Sequence, residues 1–147
     1  MAGMRETYFH RLASFPIDAI RPVDVTNNPP WWVKKEHKRR LIRRSELAPH
    51  RELLEEFIAR RKALKQEGHA DLDAHNQAFK DVDYPARFIA QIEGDPAAMA
   101  RLEELVQADK GQEVVLVCYC GPGKACHRHL LLDLAARHFG AAVDRPS

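Results

Sequence analysis

Residues 114–128 read Val-Val-Leu-Val-Cys-Tyr-Cys-Gly-Pro-Gly-Lys-Ala-Cys-His-Arg, and this stretch decides the fold. Val114–Cys118 is a continuous β-branched and apolar run with no polar alternation, the pattern of a strand buried on both faces in a parallel sheet. Gly121–Pro122–Gly123 then turns the chain, and a helix follows with Leu130, Leu131, Leu134 and His138 on an inward stripe. In an open α/β sheet, ligands bind beyond the carboxyl ends of the strands, where such a turn leads into a helix.

Working back from this segment, Asp95–Pro96 predicts a helix start, an Asp cap followed by Pro at the first helical position. Met99, Leu102 and Leu105 line that helix and Gly111 closes it. Further helices are predicted over Tyr84–Ile92, over Asp71–Val82 (with Leu72, His75 and Phe79), and from Pro49 to Gly68. The last carries Leu53, Leu54, Phe57, Ile58 and Leu64 at helical spacing. Thr7–Leu12 and Ile20–Thr26 read as early strands, and Pro22 points to an edge position or a late strand start. The sum is one α/β domain over residues 1–147, a small, mostly parallel sheet flanked by helices in a Rossmann-like layer arrangement.

The composition, 45% hydrophobic and 30% charged over 147 residues, is that of a globular domain and excludes a disordered or collagen-like chain. The longest apolar runs fall far short of the roughly 20 residues a membrane span needs, so no membrane partner is expected. Three cysteines cannot all pair within the chain, and MAGMRETYFHRLASF has no apolar signal region; both favour a cytoplasmic location. Charge is unevenly spread: residues 1–67 carry fifteen Lys/Arg against nine Asp/Glu, and residues 68–147 carry eight against twelve. Much of the excess lies in a basic segment at 31–44, where Trp31 and Trp32 precede Lys34, Lys35, Lys38, Arg39, Arg40, Arg43 and Arg44. Such a row can stack bases and neutralise phosphates. Its more frequent role is a solvated amphipathic helix with the tryptophans tucked into the core.

All three cysteines fall within nine residues, beside His127 and Arg128. Strand alternation sends Cys118 and Cys120 to one side. Cys126, His127 and Arg128 would open the final helix, where free N–H groups and the helix dipole favour an anion and enrich a nearby thiolate. Three readings stay open. In the first, Cys118 or Cys126 is a nucleophile or redox thiol and His127 moves protons, while Arg128, Lys124 and Arg11 hold an anionic small molecule, phosphorylated or nucleotide-like. In the second, Cys118, Cys120, Cys126 and His127 bind zinc, although C-x-C-x5-C-H is not a finger spacing and consecutive Cys126–His127 would point apart on a helix. In the third, the cysteines are small buried hydrophobes. Arg128 has its own alternative, an ion pair with Asp24 or another acid, and His127 one as a hydrogen-bonded core histidine. His10, Arg11 and Asp24, at early strand ends, could complete a pocket, with structural roles the default for all three; His129 is expected to face solvent.

The strand, the segment CYCGPGKACHR and the leucine-rich helix after it resemble the DUF488 family, most closely the branch with Cys-Tyr-Cys and Cys-His-Arg together. Leu47-Ala48-Pro49 before a helix, Phe9-His10-Arg11-Leu12 and Asp24–Thr26 extend the resemblance over most of the chain. It implies the α/β fold and the site at the cysteine segment, and no particular reaction. Trp31–Arg44 is a longer basic insertion than the family's second strand usually leads into, and Val143–Ser147 lacks the family's frequent Gly-Glu ending. A catalytic-Cys loop of the phosphatase or rhodanese kind does not fit, because Cys126 and not Arg stands six places after Cys120. Two functions follow for test: a cysteine-dependent enzyme acting on an anionic small molecule, or a structural zinc module whose basic segment contacts nucleic acid.

Overall fold

The late apolar run forms the middle of the sheet. A computed structural model describes residues 3–16, 18–27, 32–33 and 35–144. Its strands are β1 (Arg5–Tyr8), β2 (Arg21–Asp24), β3 (Ile42–Arg43) and β4 (Val114–Cys118), all parallel, in the spatial order β1-β4-β2-β3. β4 thus lies between the first two strands, with Tyr8 opposite Cys118 and Asp24 opposite Val117. All five of its residues are buried, which is why no polar alternation marks it in the sequence. Val114, Leu116 and Cys118 face the larger core, while Val115 and Val117 face a smaller one with Phe9, Leu12, Ile20 and Val33.

Seven helices stand among the described residues: α1 (Phe9–Leu12), α2 (Lys35–Arg40), α3 (Arg51–Gln66), α4 (Asp71–Asp81), α5 (Tyr84–Glu93), α6 (Pro96–Asp109) and α7 (His127–Phe139). The fold is a single-domain α/β arrangement. Asp95 caps α6 through a bond from Ala97 N–H at 3.0 Å. After α3, Gly68 takes φ +102°, a left-handed conformation that an L side chain rarely adopts.

Four expectations change. Thr7–Leu12 is not one strand: it divides between β1 and α1, where Phe9 and Leu12, three residues apart, share a buried helical face. A short apolar run does not tell strand from helix by periodicity alone. β2 lies inside the sheet, but β3 reaches only Val23 and Asp24, so at Pro22 the strand has β4 alone beside it. Ile58 and His138, expected inward, are exposed, and His138 meets Glu93 at 2.6 Å.

The basic segment is not an amphipathic helix, for α2 buries none of its residues. Trp32 is 41% exposed and stacks on His10, with ring centroids 4.6 Å apart; Trp31 and Lys34 lie outside the described residues. Three of its arginines are paired within the chain: Arg40 with Asp18, Arg43 with Asp24 and Arg44 with Glu104. Leu41 packs on the smaller core and Ile42 on the larger, the period-two alternation that makes β3 a strand.

Candidate functional site

β4 ends by delivering Cys118, and the chain bends at Tyr119 before Cys120. Tyr119 points away, 54% exposed and edge-on to Phe9; Cys118 and Cys120 turn to the same side. Gly123, at φ +78°, helps fold the turn back. Cys126 then sits at the N-cap of α7 with extended backbone, φ −152° and ψ 152°. The three Sγ atoms lie within 4.8 Å of one another, with Cys118 and Cys126 at 2.7 Å, and all three are free cysteines.

Helix α4 holds the turn in place. Asn76 Nδ2 donates to the Gly123 carbonyl at 3.1 Å, and its Oδ1 accepts from Ala125 N–H at 2.8 Å. Neighbouring His75, 1% exposed, donates from Nε2 to the Ala125 carbonyl at 2.7 Å. With that tautomer, His75 Nδ1 keeps its lone pair, buried and without a hydrogen-bond partner.

His127 and Arg128 are both buried. His127 Nε2 donates to the Val25 carbonyl at 2.8 Å, leaving Nδ1 as an acceptor 3.5 Å from Cys126 Sγ. The two residues therefore do not diverge as helical neighbours would, because Cys126 stands outside the helix. Burial pushes the His127 pKa down, against the pull of its bond to Val25, so the ring is neutral at ordinary pH. Arg128 donates from Nη1 to Cys118 Sγ at 2.7 Å and to the Cys120 carbonyl at 2.9 Å, while its Nε meets Glu6. The ion pair set beside the clamp for this arginine is present, with Glu6 as the acid. Burial lowers the Arg128 pKa to about 10, which leaves it charged at neutral pH.

The trio shares its protons unevenly. Burial raises Cys118 and Cys126 well above an ordinary thiol. Cys120 moves the other way: hydrogen bonds from Cys118 and then Cys126 outweigh its burial. These are properties of one coupled cluster.

The sulfurs line a cavity of about 460 Å³ walled mainly by apolar and aromatic side chains, including Leu54, Phe57, Phe79 and Tyr84, with Arg61 and Asn27 also in its lining. His75, Cys118, Cys120, Cys126 and His127 all contribute to it. Lys124 and Arg11 do not. Both line a second cleft of about 480 Å³, where Lys124 Nζ stands 2.8 Å from the Asp71 carboxylate. Asp24 and His10 are outside both spaces: Asp24 Oδ1 accepts from Thr26 N–H at 2.9 Å, and His10 stacks on Trp32. His129 is half-exposed, 3.4 Å from Glu6.

For metal binding, the three sulfurs are mutually close enough to share one ion, and His127 is not part of that group. Sequence reasoning missed His75, Asn76 and Glu6 as members of the site. Only His75 had left a signal, a polar residue on an apolar helical stripe.

A family model matches residues 18–138, that of DUF488-N3a, described as the active DUF488-N3 subclade. No curated protein and no solved structure matches the chain. Among the described residues, no helix is long and apolar enough to cross a membrane.

Proposed function

We propose, for a chain that belongs to the DUF488-N3a family, that it is a cysteine-dependent enzyme acting on a small molecule held in the 460 Å³ cavity. The observation that carries this reading is the convergence of three sulfurs, one less buried than the others, on the lining of that cavity. The thiolate is the reactive form of cysteine, and hydrogen bonding within the cluster favours it on Cys120. The nucleophile is therefore Cys120, in place of the Cys118 or Cys126 expected from sequence. Those two hold the S–H groups that stabilise the thiolate.

In the reaction, Cys120 Sγ attacks an electrophilic centre of the substrate, and the leaving group departs with the bonding pair. That group takes the proton of Cys126, whose charge is tempered by the backbone N–H of Arg128. Water then displaces the cysteine, restoring the Cys120 thiolate and returning a proton to Cys126, so the net change is hydrolysis. Iodoacetamide at pH 6.5, followed by peptide mass analysis, tests the assignment. Cys120 should be modified well ahead of Cys118 and Cys126 and faster than in denatured protein. If no cysteine outpaces the denatured control, the enzyme reading fails.

A second reading draws on the same sulfur geometry. Three thiolates suit zinc, and a three-residue site leaves a coordination position open toward the cavity. Metal analysis of protein purified without added metal decides it, near-zero zinc excluding a resident ion. The nucleic-acid part of this reading rests on exposed Trp32 and the unburied face of α2. Oligonucleotide binding that does not weaken with salt contradicts it.

A further inference from the structure

Lys124 and Arg11, expected at the cysteines, meet instead in the second cleft. This space shares Phe79 and Ala125 with the cysteine cavity. Its cationic side chains come from four places in the fold: Arg11 on α1, Lys80 on α4, Lys124 in the turn, and Arg128 with the titratable His129 on α7. Glu6 is the one acid in the lining, and it is engaged by buried Arg128 with His129 at 3.4 Å. Lys124, its side chain 26% exposed, pairs with the exposed Asp71, which stays outside the lining; solvent around the carboxylate screens the pair. Arg11 and Lys80 have no acidic partner among the described residues.

Cations gathered around a concavity repel one another unless an anion enters, and the concave shape focuses their field. The arginines of the 31–44 segment differ on this point, since Arg40, Arg43 and Arg44 have carboxylate partners of their own. Tyr8 and Phe79 add aromatic surface beside the charges. A planar guanidinium with lysine ammonium groups is the donor set that suits a phosphoryl group.

We infer that this cleft is a phosphate-binding site, and that it holds the phosphoryl group of the molecule whose reacting part enters the cysteine cavity. Joining the two spaces to one substrate rests on the cysteine reading; the binding of phosphate does not. The site takes its anion from Arg11, Lys80 and Lys124, and Arg128 supports the wall through Glu6 without touching the ligand.

Equilibrium binding of pyrophosphate and of inorganic phosphate to the full chain tests this. Saturable binding that weakens with added salt is expected, tighter for pyrophosphate if the natural ligand is a phosphorylated molecule and no tighter than free phosphate if the site serves the free ion. Arg11→Ala and Lys80→Ala, both at exposed positions, should each weaken it about tenfold, while Lys35→Ala and Arg39→Ala on α2 leave it unchanged. Wild-type affinity in Arg11→Ala and Lys80→Ala overturns the site. Cys120→Ser should bind pyrophosphate as the wild type does, so loss of thiol reactivity and loss of phosphate binding are separable results.

Discussion

Glu6 and Arg128 form an ion pair between the first strand and the last helix, each side chain 3% exposed, and the same guanidinium lies 2.7 Å from Cys118 Sγ. Removing one member of a buried pair leaves the other charge unsolvated. Glu6→Gln should therefore destabilise the fold by about 3–5 kcal/mol, read as a lower urea midpoint. The Glu6→Gln/Arg128→Met double variant should recover part of that loss. If the two single losses simply add in the double variant, the pair is not coupled.

Stability should rise with pH to a maximum near the unfolded thiol value, roughly pH 8.5, and fall above it. Cys118 and Cys126 have raised pKa values, so they stabilise the fold below the unfolded thiol value and lose that contribution as pH climbs past it. Cys120 is depressed, as is His127 by burial; their contributions are full above the unfolded values and fade as pH falls. Urea midpoints under reducing conditions from about pH 5 to about pH 10 check this. Cys118→Ser/Cys126→Ser should flatten the alkaline decline, and an unchanged alkaline slope contradicts the assignment.

Asn76→Ala removes both bonds that the Asn76 side chain makes to the turn, at Gly123 and Ala125, and leaves the one from His75. The expected loss is about 1–2 kcal/mol, with a second effect that a purely structural change elsewhere would not cause. With only His75 left to hold it, the turn loosens and lets Cys126 leave Cys118, so iodoacetamide labels Cys126 in the folded state. Labelling confined to Cys120 in this variant would show that the turn holds without Asn76.

Asp95→Ala should cost about 1 kcal/mol, because the Ala97 N–H loses its side-chain acceptor at the start of α6. Thermal unfolding with and without the substitution measures it. Thiol reactivity should not change, since α6 contributes no residue to the cysteine cavity.

What the sequence made legible was what it encodes locally. Val114–Cys118 needed no partner to be read as a buried strand, and strand alternation placed Cys118 and Cys120 together. Asp95–Pro96 likewise announced its helix. The site's other members come from distant segments: His75 and Asn76 reach the turn from α4, and Glu6 reaches Arg128 from β1. No spacing rule joins positions 6, 75 and 128. The same limit hid where the cationic residues lie: Arg11, Lys124 and Arg128 all line the second cleft, and Arg128 also reaches Cys118 Sγ. β3 escaped notice because two residues carry too little periodicity to read.

The spatial order β1-β4-β2-β3 has a consequence for how the protein is made. Until residues 114–118 leave the ribosome, β1 has no strand to zip onto and β2 has only the two-residue β3, since the strand that separates them is translated last. Assembly is therefore dominated by long-range pairings, which slows it, and the nascent helices must wait with their apolar stripes uncovered. The sulfur trio is born in that same closing event: a chain arrested before β4 docks has neither the four-stranded sheet nor the cluster of sulfurs.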